Sequence, residues 1–475
     1  MDGQRKTYRH WDPQRGSQEP VSPRDVLPEG DLVFFLLDLI PKLNVEPFHQ
    51  HYARELRGQP PFDVTMMVTL LVYAYCIGAC SSRKIAAACE RNLAFRAIVG
   101  DDPPDFRTIS DFRKIHLAAL RCLFLEVLRL AGDMGMVRLG NLSTDGTKLG
   151  ANASRHKAMS YGHMAKKIEQ LQAEIDALLA RAEQVDAAQD AALGSRRGDE
   201  LPAELQRRQD RLKKIQEAKE RLEAEGRAQA KEKERRRDAE RAERIAAGHK
   251  PRGPKPQPID PTPEDRTQMN FTDPDAKLMK QSNKGLSYSF NAQAVVDGAN
   301  QIIVAAETTS AACDQGQAVP MAQAALDNLK AAGIALPSGP DGTALPIPNT
   351  ADGGYFSAAA VEGLELLNID PYIAPGRPKG GAKEPAAQAA AATAAALARV
   401  MMQEKLQTAA GKALYAARKQ IVEPVFGMTK SGRGIHRFLV RGAEKVSGEW
   451  QLICLTHNLL KIWRYGKGVA APSGG

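Results

Sequence analysis

A single acid among cations marks the segment from Tyr415 to Lys430 as a place where chemistry could occur. Glu423 follows Lys419 by four residues and precedes Lys430 by seven. Residues at these spacings share one face of a helix. The pattern is typical of a surface ion pair, which contributes little to stability. The alternative is a metal-binding carboxylate flanked by cations that hold phosphate.

Pro424 complicates the helical spacing around this acid. Proline disfavours the α conformation in the residue before it, and it is well tolerated at the first position of a helix. Glu423 is therefore predicted to be able to act as a helix N-cap. In that arrangement Glu423 and Lys430 still share one helical face, whereas Lys419 and Glu423 do not.

Two further acids lie in strand-like segments. Asp145 lies near the middle of VRLGNLSTDGTKLG, and Asp352 ends the run LPIPNTAD before Gly353 and Gly354. A carboxylate in a half-buried strand is costly unless a cation, a hydrogen-bond donor or a metal ion balances it. For Asp145 the alternative is an ordinary turn before Gly146.

The elements around these acids predict a mixed sheet flanked by helices. The run KGLSYSFNAQAVVDGANQIIVAAETTS alternates apolar and polar residues around a turn at 297–300, which predicts a β-hairpin. Further elements are predicted as an amphipathic helix at Gln317–Ala332, a helix at Ser357–Leu367, a strand and turn at Asp370–Arg377, an Ala-rich helix and a last helix at Leu452–Trp463.

Helical signals dominate from about residue 26 to residue 137. Asp31 and Asp63 can cap apolar helices, Thr108 with Asp111 resembles a capping box, and Leu117–Ala131 has the character of a core helix.

Short helices in this N-terminal region carry cations that could contact DNA. A helix-turn-helix-like DNA reader would expose them, whereas an ordinary helical bundle would have solvated charges at the same positions. The candidates are Arg107, Arg113 and Lys114.

An inserted helical module interrupts the α/β pattern between about residues 158 and 250. One heptad seam contains Ile168, Leu171, Ile175, Leu178, Ala182 and Val185, and a second contains Leu205, Leu212, Ile215 and Leu222. We expect an antiparallel coiled-coil hairpin, although the same seams could join two protomers. A basic run at 227–255 and a Pro-rich linker follow it.

Composition favours a partner that is a polyanion. The formal net charge is +9 and the sequence pI is about 9.1. The segment 430–467 has 8 Lys or Arg against 2 acids, including Arg433 and Arg437. The six Cys form no CxxC pair, and the apolar runs are shorter than the roughly 20 residues of a membrane helix. We expect a cytoplasmic protein without a membrane partner.

Three acids gathered at one sheet would repel one another unless a divalent cation lay between them. Mg²⁺ accepts one or two carboxylates and keeps waters and phosphate oxygens as its other ligands. Two such ions can activate an attacking oxygen and stabilise the leaving oxygen in a displacement at phosphorus. Asp145, Asp352 and Glu423 are thus candidate metal ligands.

These motifs resemble the DDE transposases of bacterial insertion sequences, which have an RNase H-like core. The resemblance covers about residues 30–157 and 266–465 and is carried by STDGTK, by ADGGY, by the Tyr–Arg–Glu–Lys signature at 415–430 and by EPVFGMTK with HNLLK. It implies a transposase that binds terminal inverted repeats, cuts at the element ends and uses the freed 3′-OH to attack target DNA. Alternatives are a non-catalytic DNA-binding regulator and a host nuclease of the same fold.

The resemblance also implies roles for individual residues. Asp145, Asp352 and Glu423 would hold two Mg²⁺ ions, with Mn²⁺ as a substitute. Four residues separate Arg418 from Glu423, and three separate Lys419 from it, so either could be the signature cation. The expected DNA contacts are Tyr415, Arg418, Lys419, Lys430, Arg433, Arg437, Arg107, Arg113 and Lys114.

The expected partner is double-stranded DNA, namely transposon ends and target, bound by a homodimer in the bacterial cytoplasm at the nucleoid. The expected fold class is α/β, an RNase H-like mixed sheet with an N-terminal all-α domain and the inserted hairpin. The predicted domains are a disordered tail (1–25), a helical DNA-binding domain (26–137), a catalytic domain (138–157 and 266–467), a coiled-coil hairpin insertion (158–250), a Pro-rich linker (251–265) and a C-terminal tail (468–475).

Overall fold

The computed structural model describes residues 22–52, 60–193, 203–246, 256–281, 285–376 and 394–466. Most of the predicted N-terminal tail, the whole predicted C-terminal tail and the first third of the predicted linker lie outside these ranges.

Eight helices form the N-terminal part of the described chain, in agreement with the predicted all-α region. They are α1 (Pro23–Val26), α2 (Leu32–Leu39), α3 (Glu46–His49), α4 (Val64–Cys76), α5 (Ser82–Arg91), α6 (Leu93–Val99), α7 (Phe106–Ile115) and α8 (Leu117–Asp133). The carboxylates of Asp31 and Asp63 cap α2 and α4 as predicted.

The predicted capping box at the start of α7 is wrong. Asp105 is the N-cap, and its Oδ1 accepts a hydrogen bond of 2.7 Å from the backbone N–H of Thr108. Thr108 and Asp111 both lie inside α7. Asp105 follows Pro104 in an extended conformation, so the helix begins three residues earlier than the predicted box requires.

A six-stranded mixed sheet forms the centre of the molecule, as predicted. Its strands are β1 (Leu142–Gly150), β4 (Lys277–Lys280), β5 (Leu286–Asp297), β6 (Ile302–Thr309), β7 (Ile347–Ala351) and β8 (Ile369–Ile373). The order is β4-β5-β1-β7-β8, with β6 paired to β5. The strand β1 is antiparallel to β5 and parallel to β7. Asp145 therefore lies within a strand, and the alternative of a simple turn is wrong.

Helices flank this sheet and one of them ties it to the N-terminal helices. They are α11 (Ala318–Ala331), α12 (Ala358–Leu366), α13 (Ala394–Gln407), α14 (Ala409–Gly427) and α15 (Ala443–Tyr465). The helix α15 is buried along most of its length and packs on α4, α8 and β6. Asn458 on α15 accepts from the N–H and donates to the C=O of Ile303, and Trp450 donates to the C=O of Gln293.

The inserted module consists of two long helices, α9 (Tyr161–Leu193) and α10 (Ala203–Ala246), with a small sheet of β2 (Ala158–Ser160) and β3 (Gln268–Asn270) at its base. The contacts run antiparallel, because Tyr161 bonds Glu223 while Glu174 pairs with Arg208. Buried seam residues form an apolar cluster of their own, including Leu171, Ile175, Leu205, Leu212, Ile215 and Leu222. Supercoiling of this pair stays a prediction, and the side chains of Ala182 and Val185 lie outside the described part.

The helix α14 continues through Pro424, so the prediction that Glu423 caps a new helix is wrong. Thr408 is the N-cap, and its hydroxyl accepts from the N–H of Gly411. Pro424 has no N–H for the C=O of Gln420, four residues earlier. That carbonyl instead accepts a hydrogen bond of 2.8 Å from Nε2 of Gln301. This substitute donor helps to explain why the helix tolerates an internal proline.

Candidate active site

The sheet brings Asp145 and Asp352 together. The parallel pairing of β1 and β7 ends with Thr144 opposite Ala351, and each acid directly follows one of these residues. The pKa of Asp145 is raised to about 6, chiefly by burial and also by the negative charge of Asp352. A hydrogen bond from the Gly146 N–H acts in the opposite direction. The two carboxylates therefore share one site, and its negative charge is only partly balanced.

A tight turn holds Asp352 in place. Its Oδ1 accepts a hydrogen bond of 2.7 Å from the N–H of Gly354, at the start of a short 3-10 helix that spans Gly353–Tyr355. Tyr355 is fully buried, and its hydroxyl donates to Oε1 of Gln293 on β5. The acid at the end of β7 is thus tied to the neighbouring part of the sheet.

Arg418 is the cation that meets this acidic site. Its Nη1 lies 3.3 Å from Oδ2 of Asp145, and its side chain is only 11% exposed. The guanidinium also lies 5.8 Å from the ring centre of Tyr415. Lys419 is exposed, and no hydrogen bond or ion pair of its side chain occurs within the described residues. Of the two candidates for the signature cation, Arg418 is the one beside the acids.

Glu423 lies apart from the other two predicted acids. Successive residues of an α-helix are about 100° apart, which places Glu423 about 140° around α14 from Arg418. Its side chain is exposed and makes no hydrogen bond or ion pair within the described ranges. Among the residues described, no three acids, His or Cys are grouped so that they could hold one metal ion. The structure thus assembles two of the three predicted ligands.

A different acid, Asp314, accompanies the pair, and the sequence analysis did not select it. Its Oδ1 accepts hydrogen bonds of 2.7 Å from the carboxamides of both Asn291 and Gln293. Its charge contributes to the raised pKa values of Asp145 and Tyr355, where burial is the larger cause. Asp314 follows β6 and precedes α11. Asp352 was selected as the last residue of a predicted strand, whereas Asp314 lies four residues beyond the predicted hairpin, so that signal does not reach it.

The donor set fits a hard divalent cation. Mg²⁺ in phosphate-processing sites needs only one or two protein carboxylates, and its remaining ligands are waters and substrate oxygens. Asp145 and Asp352 supply two carboxylates on adjacent strands. The raised pKa of Asp145 indicates that the ionised form lacks compensating charge, which a cation would provide.

The cations predicted to contact DNA separate into surface and core residues. Arg107 and Lys114 are exposed on α7, where with Arg83 of α5 they line a groove of about 450 Å³. Asn152 and Leu439 form the opposite wall of this groove. Arg437 is also exposed. This groove lies where the N-terminal helices meet the sheet domain, and exposed cations line it.

Arg113 and Arg433 are buried, with 4% and 6% of their surfaces exposed. Arg113 donates to the hydroxyl of Tyr75 and the C=O of Cys80. Arg433 donates to Thr456 Oγ1 at 2.7 Å and to other core acceptors. Arg113 was expected at a DNA surface because it lies on a short N-terminal helix, and Arg433 because it lies in the basic segment 430–467. These two arginines donate hydrogen bonds to buried hydroxyl and carbonyl oxygens instead.

Lys430 is intermediate between these groups. It lies in a turn of π-helix that spans Met428–Gly432 at the end of α14, and burial lowers the pKa of its ammonium group. Its side chain is neither fully exposed nor in the core.

Comparisons with known families agree with this architecture. A family described as "Transposase domain (DUF772)" matches residues 21–115, and one described as "Transposase DDE domain" matches residues 382–463. The second match contains Tyr415, Arg418 and Glu423, whereas Asp145 and Asp352 lie outside both matches. No curated protein and no solved structure matches the chain.

No helix in the described part of the chain combines the length and the apolar character that a membrane crossing requires. The two family matches confirm the resemblance drawn from the sequence motifs, and the DDE domain implies an RNase H-like fold for the mixed sheet. The two matches, each over part of the chain, support an insertion-sequence DDE transposase.

Proposed function

We propose that the protein binds the terminal inverted repeats of its own insertion sequence, cuts the DNA at their ends and joins the freed 3′-OH to target DNA. The observation that carries this proposal is the meeting of Asp145 and Asp352 at adjacent strands beside Arg418. Two carboxylates with a bound cation attract a phosphodiester, and an arginine at the same place can hold its oxygens.

Asp145 and Asp352 would hold Mg²⁺, or Mn²⁺ in its place, and we propose two ions. When bound, the metal would supply activation of the attacking oxygen and stabilisation of the leaving oxygen. Arg418 and Tyr415 would orient the phosphate at the cleavage site, and Lys430 would hold a neighbouring phosphate. Glu423, on the same helix as Arg418, remains the proposed third metal ligand.

DNA would be held outside this centre by the exposed cations of the groove and of the C-terminal region. Arg107, Lys114 and Arg437 are the proposed phosphate contacts. Because two element ends must be joined to the target together, we propose a homodimer as the active species on DNA.

The test uses the purified full-length protein with duplex DNA that carries the element ends. With MgCl₂ or MnCl₂ we expect nicking and joining at those ends, and we expect none from Asp145→Asn or Asp352→Asn. The matched control is Asp327→Asn, an exposed acid on α11, which should keep full activity. Unchanged activity in both site variants would contradict the proposal.

Two other outcomes identify the alternatives. Binding to the ends without any metal-dependent strand chemistry would indicate a DNA-binding regulator. Cleavage without preference for the inverted repeats would indicate a nuclease of the same fold.

A further inference from the structure

We propose that Asp314, which lies beside the Asp145–Asp352 site without being a metal ligand, sets the affinity of this site for divalent cations. The inference rests on the proposed function, because it concerns the same metal site. Asp314 acts here as a positioning residue, through its charge and through the side chains that it holds.

Close packing locates the Asp314 carboxylate between the backbone segments that carry the two site acids. A Cβ atom added to Gly146, the residue after Asp145, would lie 2.8 Å from Oδ1 of Asp314. One added to Gly354 would lie 3.7 Å from Oδ2 of Asp314 and 2.9 Å from Oδ1 of Asp352. Glycine at both positions therefore leaves room for the three carboxylates to approach each other.

Two buried amides fix the orientation of Asp314. Asn291 and Gln293 lie on β5, and both donate to Oδ1 of Asp314 at 2.7 Å. Gln293 lies opposite Gly146 in the pairing of β1 with β5. Within the described residues no hydrogen bond reaches Oδ2, the oxygen nearer to Gly354 and Asp352.

A chain of hydrogen bonds connects Asp314 to the Asp352 turn. Gln293 donates to Asp314 through Nε2 and accepts the Tyr355 hydroxyl through Oε1. Tyr355 closes the 3-10 helix for which Asp352 is the N-cap. The orientation of Gln293, and with it that of Tyr355, depends on an acceptor at position 314. Asp314 thus supports the geometry of one site acid and adds negative charge beside both.

The experiment measures binding of MnCl₂ to the full-length protein by isothermal titration calorimetry. Asp314→Asn keeps an oxygen that can accept from both amides but removes the charge. Because partners that support metal ligands typically change affinity 10- to 100-fold, we expect Mn²⁺ to bind about 10- to 100-fold more weakly. The thermal unfolding midpoint without metal should not fall, since repulsion among the acids decreases.

Three further variants make the result decisive. Asp327→Asn should bind Mn²⁺ like the unmodified protein, and Asp145→Asn should lose binding. Asp314→Glu keeps the charge and should bind more tightly than Asp314→Asn. It also serves as the test should the Asn variant fail to fold.

The inference is overturned if Asp314→Asn binds Mn²⁺ normally while Asp145→Asn does not. It is also overturned if Asp314→Asn and Asp314→Glu lose affinity equally and both unfold at lower temperature, which would indicate a purely structural role. Should Asp145→Asn itself keep normal Mn²⁺ binding, the proposed function fails, and that result is distinct from either of the others.

Discussion

At the scale of single residues, neighbours decide which charged groups can take part in chemistry. Asp145 is a candidate ligand because a parallel strand places Asp352 beside it and α14 places Arg418 3.3 Å from its Oδ2. Glu423 has the same carboxylate chemistry but an exposed position away from this pair. Arg418 and Lys419 are adjacent cations with different surroundings, so they offer a direct comparison.

We expect Arg418→Gln to slow cleavage of end-containing DNA about tenfold or more, because a hydrogen bond to a charged group contributes about 1.5–3 kcal/mol. Lys419→Gln should change the rate little, since its side chain faces solvent. The initial rate of nicking in MgCl₂ measures both. Equal losses in the two variants, or a loss only in Lys419→Gln, would exclude Arg418 as the signature cation.

At the scale of elements, α14 links the signature residues to the sheet. It packs on β1, β5, β7 and β8, with Ile421, Val422 and Val425 on its buried face. Its path through Pro424 leaves the C=O of Gln420 without a helical donor, and Gln301 supplies one. The turn between β5 and β6 therefore supplies, through Gln301, the hydrogen bond that Pro424 cannot give to the Gln420 carbonyl.

A double-mutant cycle tests whether the Gln301 hydrogen bond compensates for Pro424. Gln301→Ala should lower the free energy of unfolding by about 1 kcal/mol, since it removes the substitute hydrogen bond. In a Pro424→Ala background residue 424 has an N–H for Gln420, and the same change should have a smaller effect. Denaturant unfolding of the four proteins provides the comparison. Equal effects of Gln301→Ala in both backgrounds would show that the two positions are independent.

At the scale of the whole molecule, a buried polar network joins the N-terminal helices to the DDE domain. The hydroxyl of Tyr75 on α4 donates to Oε1 of Glu449 on α15 and accepts from Arg113 on α7. The other oxygen of Glu449 accepts from the N–H groups of Leu439 and Val440. These contacts fix the groove that carries Arg107 and Lys114 relative to the sheet domain.

We expect Arg113→Met to lower the free energy of unfolding by about 3 kcal/mol, because it leaves the Glu449 charge buried without its cation. Lys114→Met, at the adjacent exposed position, should change it by less than about 0.5 kcal/mol. Guanidinium unfolding can be followed through the fluorescence of Trp450, which is buried one residue from Glu449. A small effect of Arg113→Met would show that Tyr75 and the backbone donors suffice to stabilise the buried Glu449 carboxylate.

Local signals in the sequence determined much of this protein. Side-chain caps at Asp31 and Asp63 and apolar alternation in the β-hairpin depend on residues close together in the chain, and these elements form as predicted. Heptad spacing predicted the two long helices of the insertion, while their coiled coil stays a prediction. The acids after strand-like runs were found in the same way. Family resemblance in the transposase DDE region was also readable from short motifs such as EPVFGMTK and HNLLK.

Tertiary structure alone decided which of these residues meet. The pairing of Thr144 with Ala351 joins segments about 200 residues apart, and no local rule specifies it. Burial of Arg113 and Arg433, the continuation of α14 through Pro424 and the approach of Asp314 to the site likewise depend on partners that are distant in the chain. Sequence patterns report what a residue can do, whereas the charges and donors that surround it exist only after the sheet and helices have packed.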